Sequence, residues 1–146
     1  MAAAGRHRGV TLLELLVAVT LVGLLSGIAY PSYRAQVLRA HRLEAIEALL
    51  AVAAAQERFH VAHGRYAERF AAGEEPGLRL PAITAGGRYE LALSVPDPSD
   101  FVAAARPRRG SGQEADQRCS EFSIRANGAR RALDRRGTDS TTVCWG

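Results

Sequence analysis

A long uncharged stretch near the N-terminus constrains this chain more than any other feature. No Asp, Glu, Arg or Lys occurs in residues 15–33, and most of these residues are apolar. About 20 helical residues cross the hydrocarbon of a bilayer, so we expect a transmembrane helix over residues 10–33. Arg6 and Arg8 precede this stretch. By the positive-inside rule they place the N-terminus in the cytoplasm and the rest of the chain on the other side of the membrane.

One acid, Glu14, lies in the fifth position of the predicted membrane helix. An ionised side chain inside a membrane costs about 2.5–3.5 kcal/mol on insertion scales and is usually retained because it pairs with another group. Three interpretations compete for the helix: a secretory signal cleaved after Ala29, a plain anchor, or a helix used for assembly. Only assembly supplies Glu14 with a partner.

The helix is expected to continue beyond the membrane segment. Pro31 should bend it, because proline lacks the backbone donor that a helix interior needs. Residues 34–64 then predict an amphipathic helix ended by Gly64 at its C′ position. Its expected apolar face consists of Leu43, Ile46, Leu49, Leu50 and Ala53.

The C-terminal half shows the alternation of short strands. Residues 65–87 are rich in Gly and Pro and predict an irregular αβ-loop, and residues 88–146 predict about four antiparallel strands. Asn127-Gly128 is a two-residue hairpin signal between the last two of them. The expected fold is α+β, with the long helix packed on a small antiparallel sheet.

The two cysteines, Cys119 and Cys144, are too few for a zinc site and favour a disulfide in an oxidising compartment. All 19 basic residues are arginines, and the absence of lysine excludes Schiff-base chemistry and a P-loop. His60 and His63 lack a third ligand nearby. We find no catalytic constellation, and we predict a protein that is not an enzyme and has no metal and no cofactor.

Two arginine clusters could contact DNA phosphates. The formal net charge is only +4, so a solvated surface is the simpler explanation of these clusters. The candidate residues are Arg106, Arg108, Arg109, Arg130, Arg131, Arg135 and Arg136.

The N-terminal sequence GRHRG followed by VTLLELLVAVTLVGLLSGIAYPSY resembles the class III signal of type IV pilin precursors. The resemblance implies a leader of residues 1–9 that prepilin peptidase removes between Gly9 and Val10. It also implies N-methylation of Val10, a role of Glu14 in assembly, and a helix kink at Pro31. In the family pattern phenylalanine usually follows the cut, whereas this chain has valine.

The rest of the chain is similar to minor pilins of the PilE and ComP kind, through the helix exit at residues 63–66 and Cys144-Trp145 at the end. The resemblance implies a minor subunit of a type IV pilus that supports pilus assembly, twitching motility, adhesion or DNA uptake. The expected partners are other pilins, prepilin peptidase, the inner-membrane assembly machinery and DNA. The expected location is the bacterial inner membrane, then a pilus on the cell surface. A DNA-binding competence pilin and a type II secretion pseudopilin remain as alternatives.

Overall fold

The computed structural model describes residues 11–70 and 76–146 of the chain. It contains a long helix, α1, followed by four strands and a short second helix, α2. Their bounds are α1 Leu12–His63, β1 Tyr89–Asp97, β2 Asp100–Pro107, β3 Glu121–Arg125, β4 Arg130–Leu133 and α2 Thr141–Cys144, with a 3-10 turn at Gln113–Ala115. The predicted α+β class with four antiparallel strands is confirmed.

The chain divides into two units, Met1–Val37 and Leu38–Gly146, which are described separately. In the first unit, α1 begins directly after Thr11, whose Oγ1 accepts a hydrogen bond from the backbone N–H of Glu14 at 3.2 Å. Thr11 therefore occupies the N-cap position, as a hydroxyl side chain does at many helix starts. Gly9 and Val10, the predicted cleavage site, lie outside the described residues.

The apolar side chains of the first unit are exposed on all sides of the helix. Leu12 is 82% exposed and Ile28 is 77% exposed. Within the described residues, α1 is the one helix that is long and apolar enough to cross a membrane. The helix continues through Pro31 without interruption; the bend expected there stays a prediction.

In the second unit, α1 packs one face on the sheet, and the sequence predicted this face in part. Leu49 lies in the core, and Ile46 and Ala53 pack against it. The prediction was wrong for Leu43, which is 59% exposed, and for Leu50, which is 40% exposed. The buried positions are Arg42, Ala45, Leu49, Val52, Ala55, Gln56 and Phe59. Two of these residues are polar, so a pattern of apolar residues alone does not identify the whole buried face.

The sheet has the strand order β1-β2-β3-β4 with all neighbours antiparallel. Leu91, Ala105, Phe122 and Ala132 pair across the four strands in one row. They belong to the buried core cluster together with the apolar residues of α1. As predicted, Gly64 follows the helix in the left-handed region (φ 70°), and its N–H donates to the His60 carbonyl at 2.8 Å.

The β3–β4 connection is one residue longer than the Asn127-Gly128 signal predicted. The Gly128 N–H donates to the Arg125 carbonyl at 2.9 Å, and the Arg125 N–H donates to the Ala129 carbonyl at 3.0 Å. Gly128 has φ 78°. A three-residue loop with glycine in the left-handed position gives this arrangement, in which the glycine forms a bulge.

Cys119 and Cys144 form the expected disulfide, with an S–S distance of 2.05 Å. Both cysteines are buried, and the bond ties the segment before β3 to α2. The disulfide therefore fixes the C-terminus against the start of β3.

Candidate functional site

Glu14 is the acid that the sequence singled out in the apolar helix. Its side chain is exposed, and within the described residues its carboxylate makes no hydrogen bond or ion pair. The described part of the chain thus supplies Glu14 with a backbone cap but with no counter-charge. Pairing of this acid requires a group from elsewhere.

The structure separates the seven candidate arginines into distinct groups. Arg106 is paired with Glu121 at 2.7 Å, and Arg131 lies 3.5 Å from Asp139. Arg130 covers the ring of Trp145 at 5.3 Å from the ring centroid. The side chains of the other four have no acidic partner among the described residues. These four are Arg108, Arg109, Arg135 and Arg136.

The unpaired arginines lie at one end of the sheet. The β1–β2 pairing ends at Tyr89 and Pro107, and the β3–β4 pairing ends at Glu121 and Leu133. The antiparallel register places these four residues at the same end of the sheet, where β1 and β3 begin and β2 and β4 end. The unpaired arginines follow β2 and β4 there and are joined by Arg118, which precedes β3. We call the set of Arg108, Arg109, Arg118, Arg135 and Arg136 the arginine end.

Three of these arginines line one shallow cavity. Arg118, Arg135 and Arg136 border a space of about 250 Å³ together with Gln117, Asp134 and Ser140. The Arg135 N–H donates to the Gln117 carbonyl at 2.9 Å, which holds the two walls together. A guanidinium donates several hydrogen bonds in a planar fork that suits a phosphate, so this cavity is chemically fitted to bind an anion.

The nearby acids are already engaged with other groups. The Asp134 carboxylate accepts backbone N–H groups of Arg136 and Thr138, both at 2.8 Å. Glu114 accepts the N–H of Gly110 at 2.8 Å. These hydrogen bonds close local turns and leave the guanidinium groups of the arginine end without acidic partners.

The opposite end of the sheet has different chemistry. Asp97 and Asp100 pair across the β1–β2 turn, and Arg125 lies 3.1 Å from Asp100. Hydrogen bonds from the hydroxyl and backbone of Ser99 hold the pKa of Asp97 below its ordinary value. At this end an acid therefore pairs directly with an arginine, whereas the arginines of the arginine end have no acidic partner among the described residues.

A buried ion pair holds the segment next to the arginine end against α1. Arg42 binds Asp116 through two hydrogen bonds, Nε to Oδ2 at 2.7 Å and Nη2 to Oδ1 at 3.0 Å. Gln113 donates from Nε2 to the Leu38 carbonyl at 3.1 Å. Burial raises the pKa of the neighbouring Tyr89 phenol, and the charge of Asp116 raises it further. Leu38, the first residue of the second unit, therefore lies at the same end as the arginines.

Glu44 fixes the start of β1 to α1. Its carboxylate accepts hydrogen bonds from the Thr84 hydroxyl and from Arg88 Nη1, the latter at 2.8 Å. Burial raises the pKa of Glu44, but these hydrogen bonds outweigh it and the pKa lies below its ordinary value. Arg88 is thereby neutralised and does not belong to the arginine end.

The histidines and the other cavities of the described residues are weaker candidates for a binding site. Within the described residues no group of three or more His, Cys, Asp or Glu is placed to hold a metal ion. His60 stacks on Tyr66, and His63 stacks on Phe59. A larger cavity of about 290 Å³ between α1 and residues 80–85 has mostly apolar walls.

Two features of this region were not predicted from the sequence. Arg118 stood outside the two clusters, although its position directly before Cys119 could have indicated that the disulfide would fix it near them. The Arg42–Asp116 pair could not be found, because its residues are 74 positions apart and nothing local links them.

Comparison with known proteins gives two matching families. The profile described as "Type IV minor pilin ComP, DNA uptake sequence receptor" matches residues 31–123, more than half of the chain. The profile described as "Prokaryotic N-terminal methylation motif" matches residues 5–30. Together they cover both the apolar helix and most of the second unit.

Relatives and one solved structure are also similar. A "Type IV major pilin protein PilE1" from Neisseria gonorrhoeae is 28% identical over 124 residues, which is 84% of this chain and 66% of the relative. Another PilE1 protein from that organism is 30% identical over 89 residues, 61% of this chain and 40% of the relative. The chain thus spans less than two thirds of the length of these relatives. These PilE1 relatives are described as major pilins, whereas the resemblance seen in the sequence was to minor pilins of the PilE kind.

A type IV pilin structure from Shewanella oneidensis aligns with 64% of this chain and 89% of its own length, at 21% identity and a TM-score of 0.46.

Proposed function

We propose that this chain, which belongs to the type IV minor pilin family of ComP, enters a pilus through the apolar helix at its N-terminus. One observation carries the proposal: the apolar side chains of the first unit, from Leu12 to Tyr33, are exposed on every side. Such a helix requires a lipid or protein environment, since water does not solvate it favourably. A membrane before assembly and the helices of other pilins afterwards provide these two environments.

Processing would create the missing partner of Glu14. The methylation-motif match covers residues 5–30, which supports cleavage by prepilin peptidase between Gly9 and Val10 and methylation of the new N-terminus. The cationic amine at Val10 of one subunit would then pair with Glu14 of a neighbour. Because an unpaired charge in an apolar bundle is costly, this pair would also favour one depth of insertion over others.

The test measures processing and assembly separately. In cells that make the pilus, mature subunits should lose about 0.9 kDa, as expected for removal of a nine-residue leader. The Glu14→Gln variant should reach the same mass but be depleted at least tenfold from sheared fibres. Thr20→Val is the matched control, because Thr20 donates only to the Leu16 carbonyl of its own helix. Normal amounts of Glu14→Gln in fibres would refute the assembly role, and an uncut chain would refute the processing step.

A second candidate function, DNA contact, is supported by the description of the ComP family and by the arginine end. Phosphates bind arginines whose charge is not already neutralised. We therefore favour Arg108, Arg109, Arg135 and Arg136, which have no acidic partner among the described residues, over Arg130, which covers the ring of Trp145. Arg106 and Arg131 serve as controls because each lies beside an acid.

The DNA test is a gel-shift titration of the full chain in detergent at several salt concentrations. Replacing the four unpaired arginines with glutamine should weaken binding. It should also reduce the slope of log affinity against log salt concentration by about 3–4, since each phosphate contact contributes roughly 0.9 to that slope. The Arg106→Gln/Arg131→Gln variant should bind nearly as the unmodified chain does. Equal losses in both variants, or salt-independent binding, would refute the assignment.

A further inference from the structure

We propose that the arginine end contacts the phosphate groups of anionic phospholipids while the chain is anchored in the membrane. This inference rests on the proposed membrane residence of the N-terminal helix. It assigns a membrane surface, rather than a second protein, as the partner of the second unit before assembly.

Chain connectivity brings the second unit close to the bilayer at this end. The uncharged stretch ends at residue 33, and the second unit begins at Leu38. Five residues span at most about 18 Å even when fully extended. The Gln113 side chain binds the Leu38 carbonyl, and Arg42 binds Asp116. The end of the unit that lies nearest to the membrane crossing is therefore the end that carries the arginines.

The charges at this end suit a surface of phosphodiesters. All five members of the arginine end are exposed, and none has an acidic partner among the described residues. The cavity bordered by Arg118, Arg135 and Arg136 measures about 250 Å³ and is open to solvent, and Asp134 is the one acid among the described residues on its wall. Arg34 and Arg39 at the crossing are also exposed. Guanidinium groups bind phosphate oxygens through charge-assisted hydrogen bonds, so exposed arginines beside the crossing suit phospholipid headgroups.

Two observations favour a lipid surface over DNA as the first partner. Connectivity holds the arginine end near headgroups at a high effective concentration, whereas DNA must diffuse to it. The indole of Trp145, the chain's only tryptophan, is also covered by Arg130 and is not free to stack on a base.

The experiment uses the full chain in lipid nanodiscs made with or without phosphatidylglycerol in phosphatidylcholine. Trp145 is a natural reporter, because it is the chain's only tryptophan and its Nε1 donates at 3.0 Å to the carbonyl of Arg131 in β4, the strand that leads to Arg135 and Arg136. A trace of lipid with a nitroxide on its headgroup quenches its fluorescence when the second unit rests on the surface. Quenching should be at least twofold stronger with phosphatidylglycerol and should fall as salt is added.

The Arg135→Gln/Arg136→Gln variant should lose this difference, since each arginine near an anionic surface changes the binding constant about fivefold. Arg58→Gln/Arg65→Gln is the charge-matched control. Both of its arginines are exposed and lie near Tyr66, which contacts Phe101 at the opposite end of the sheet. The control should behave as the unmodified chain does.

Each other outcome overturns the proposal in an identifiable way. Equal quenching in the two kinds of disc means that the arginine end has no preference for anionic phospholipids, which refutes the proposed contact. A variant that keeps the quenching difference but loses duplex DNA in the gel shift assigns this surface to DNA instead. A chain that does not co-elute with phosphatidylcholine discs lacks membrane residence, which is a failure of the proposed function and not of the headgroup contact.

Discussion

The two stretches of α1 are both helical, but they differ in where their apolar side chains can be buried. Before Val37, leucines and valines are exposed on all sides, and Leu13 is 74% exposed. After Leu38, Leu49 and Val52 are almost fully buried against the sheet. Full burial of such a side chain contributes about 1.5–3 kcal/mol. The second stretch obtains this contribution within its own chain, whereas the first can obtain it only from lipid or from other subunits.

Substitutions in one stretch should therefore leave the function of the other stretch intact. Changes in the core of the second unit should lower its stability and leave membrane insertion intact. Changes at Glu14 should affect assembly and leave the fold of the second unit intact. Each prediction below can therefore be measured on both stretches, with unfolding followed by Trp145 fluorescence in detergent and insertion followed by co-elution with nanodiscs.

Asp116→Ala should have the largest effect on stability. It leaves the Arg42 guanidinium buried without its counter-charge, and loss of one member of a buried pair typically costs about 3–5 kcal/mol. The free energy of unfolding of the second unit should fall by about that amount, while insertion into nanodiscs should be unchanged.

The matched control is Arg42→Met/Asp116→Leu, which removes both charges and keeps apolar volume. It should recover most of the stability, because replacing a whole buried ion pair is often neutral. A double variant as unstable as Asp116→Ala would show that the cost comes from packing and not from an unpaired charge.

Removal of the disulfide should cause the second largest loss of stability. Cys119 and Cys144 are 25 residues apart, and opening such a loop costs about 3–4 kcal/mol in the chain-entropy model. The Cys119→Ser/Cys144→Ser variant should unfold at lower denaturant and become insensitive to reductant. A type II pseudopilin that relies on calcium would lose stability with a chelator instead, so chelator sensitivity of the unmodified chain would contradict the pilus assignment.

The sequence could predict the elements because local rules determine them. Alternation indicates the strands, and Gly64 marks the end of the helix. The buried face of α1 could be predicted only in part, since Gln56 is fully buried and makes two 2.8 Å hydrogen bonds to the backbone of Ala67. A buried amide with both partners satisfied costs little, but a sequence does not reveal its partners.

The candidate DNA-binding arginines likewise could not be sorted from the sequence alone. Their spacing in the sequence predicted two clusters of free arginines. In the structure, however, Arg106 is neutralised by Glu121 and Arg131 lies beside Asp139. These acids come close because β3 and the segment after β4 fold back on neighbouring strands. Net charge and clustering therefore overestimate the number of free cations. Glu14 differs, since its isolation in an apolar run is visible in the sequence itself.

The smallest expected effect concerns Glu44 and depends on pH. Glu44→Gln removes the charge that accepts hydrogen bonds from Thr84 and Arg88, and hydrogen bonds to a charged group contribute about 1.5–3 kcal/mol. The folded-state pKa of Glu44 lies below its ordinary value of 4.5. Its contribution is therefore complete above the unfolded-state pKa and is lost as the pH falls through the folded-state pKa.

The measurement is the difference in unfolding free energy between the unmodified chain and Glu44→Gln at a series of pH values. The difference should be constant near neutral pH and shrink below the ordinary pKa of 4.5. Glu47→Gln is the control: Glu47 is exposed one turn further along α1 and makes no hydrogen bond or ion pair among the described residues, so it should show no such trend. A difference that grows on acidification would mean that the folded state raises the pKa of Glu44, and that burial outweighs the hydrogen bonds from Thr84 and Arg88.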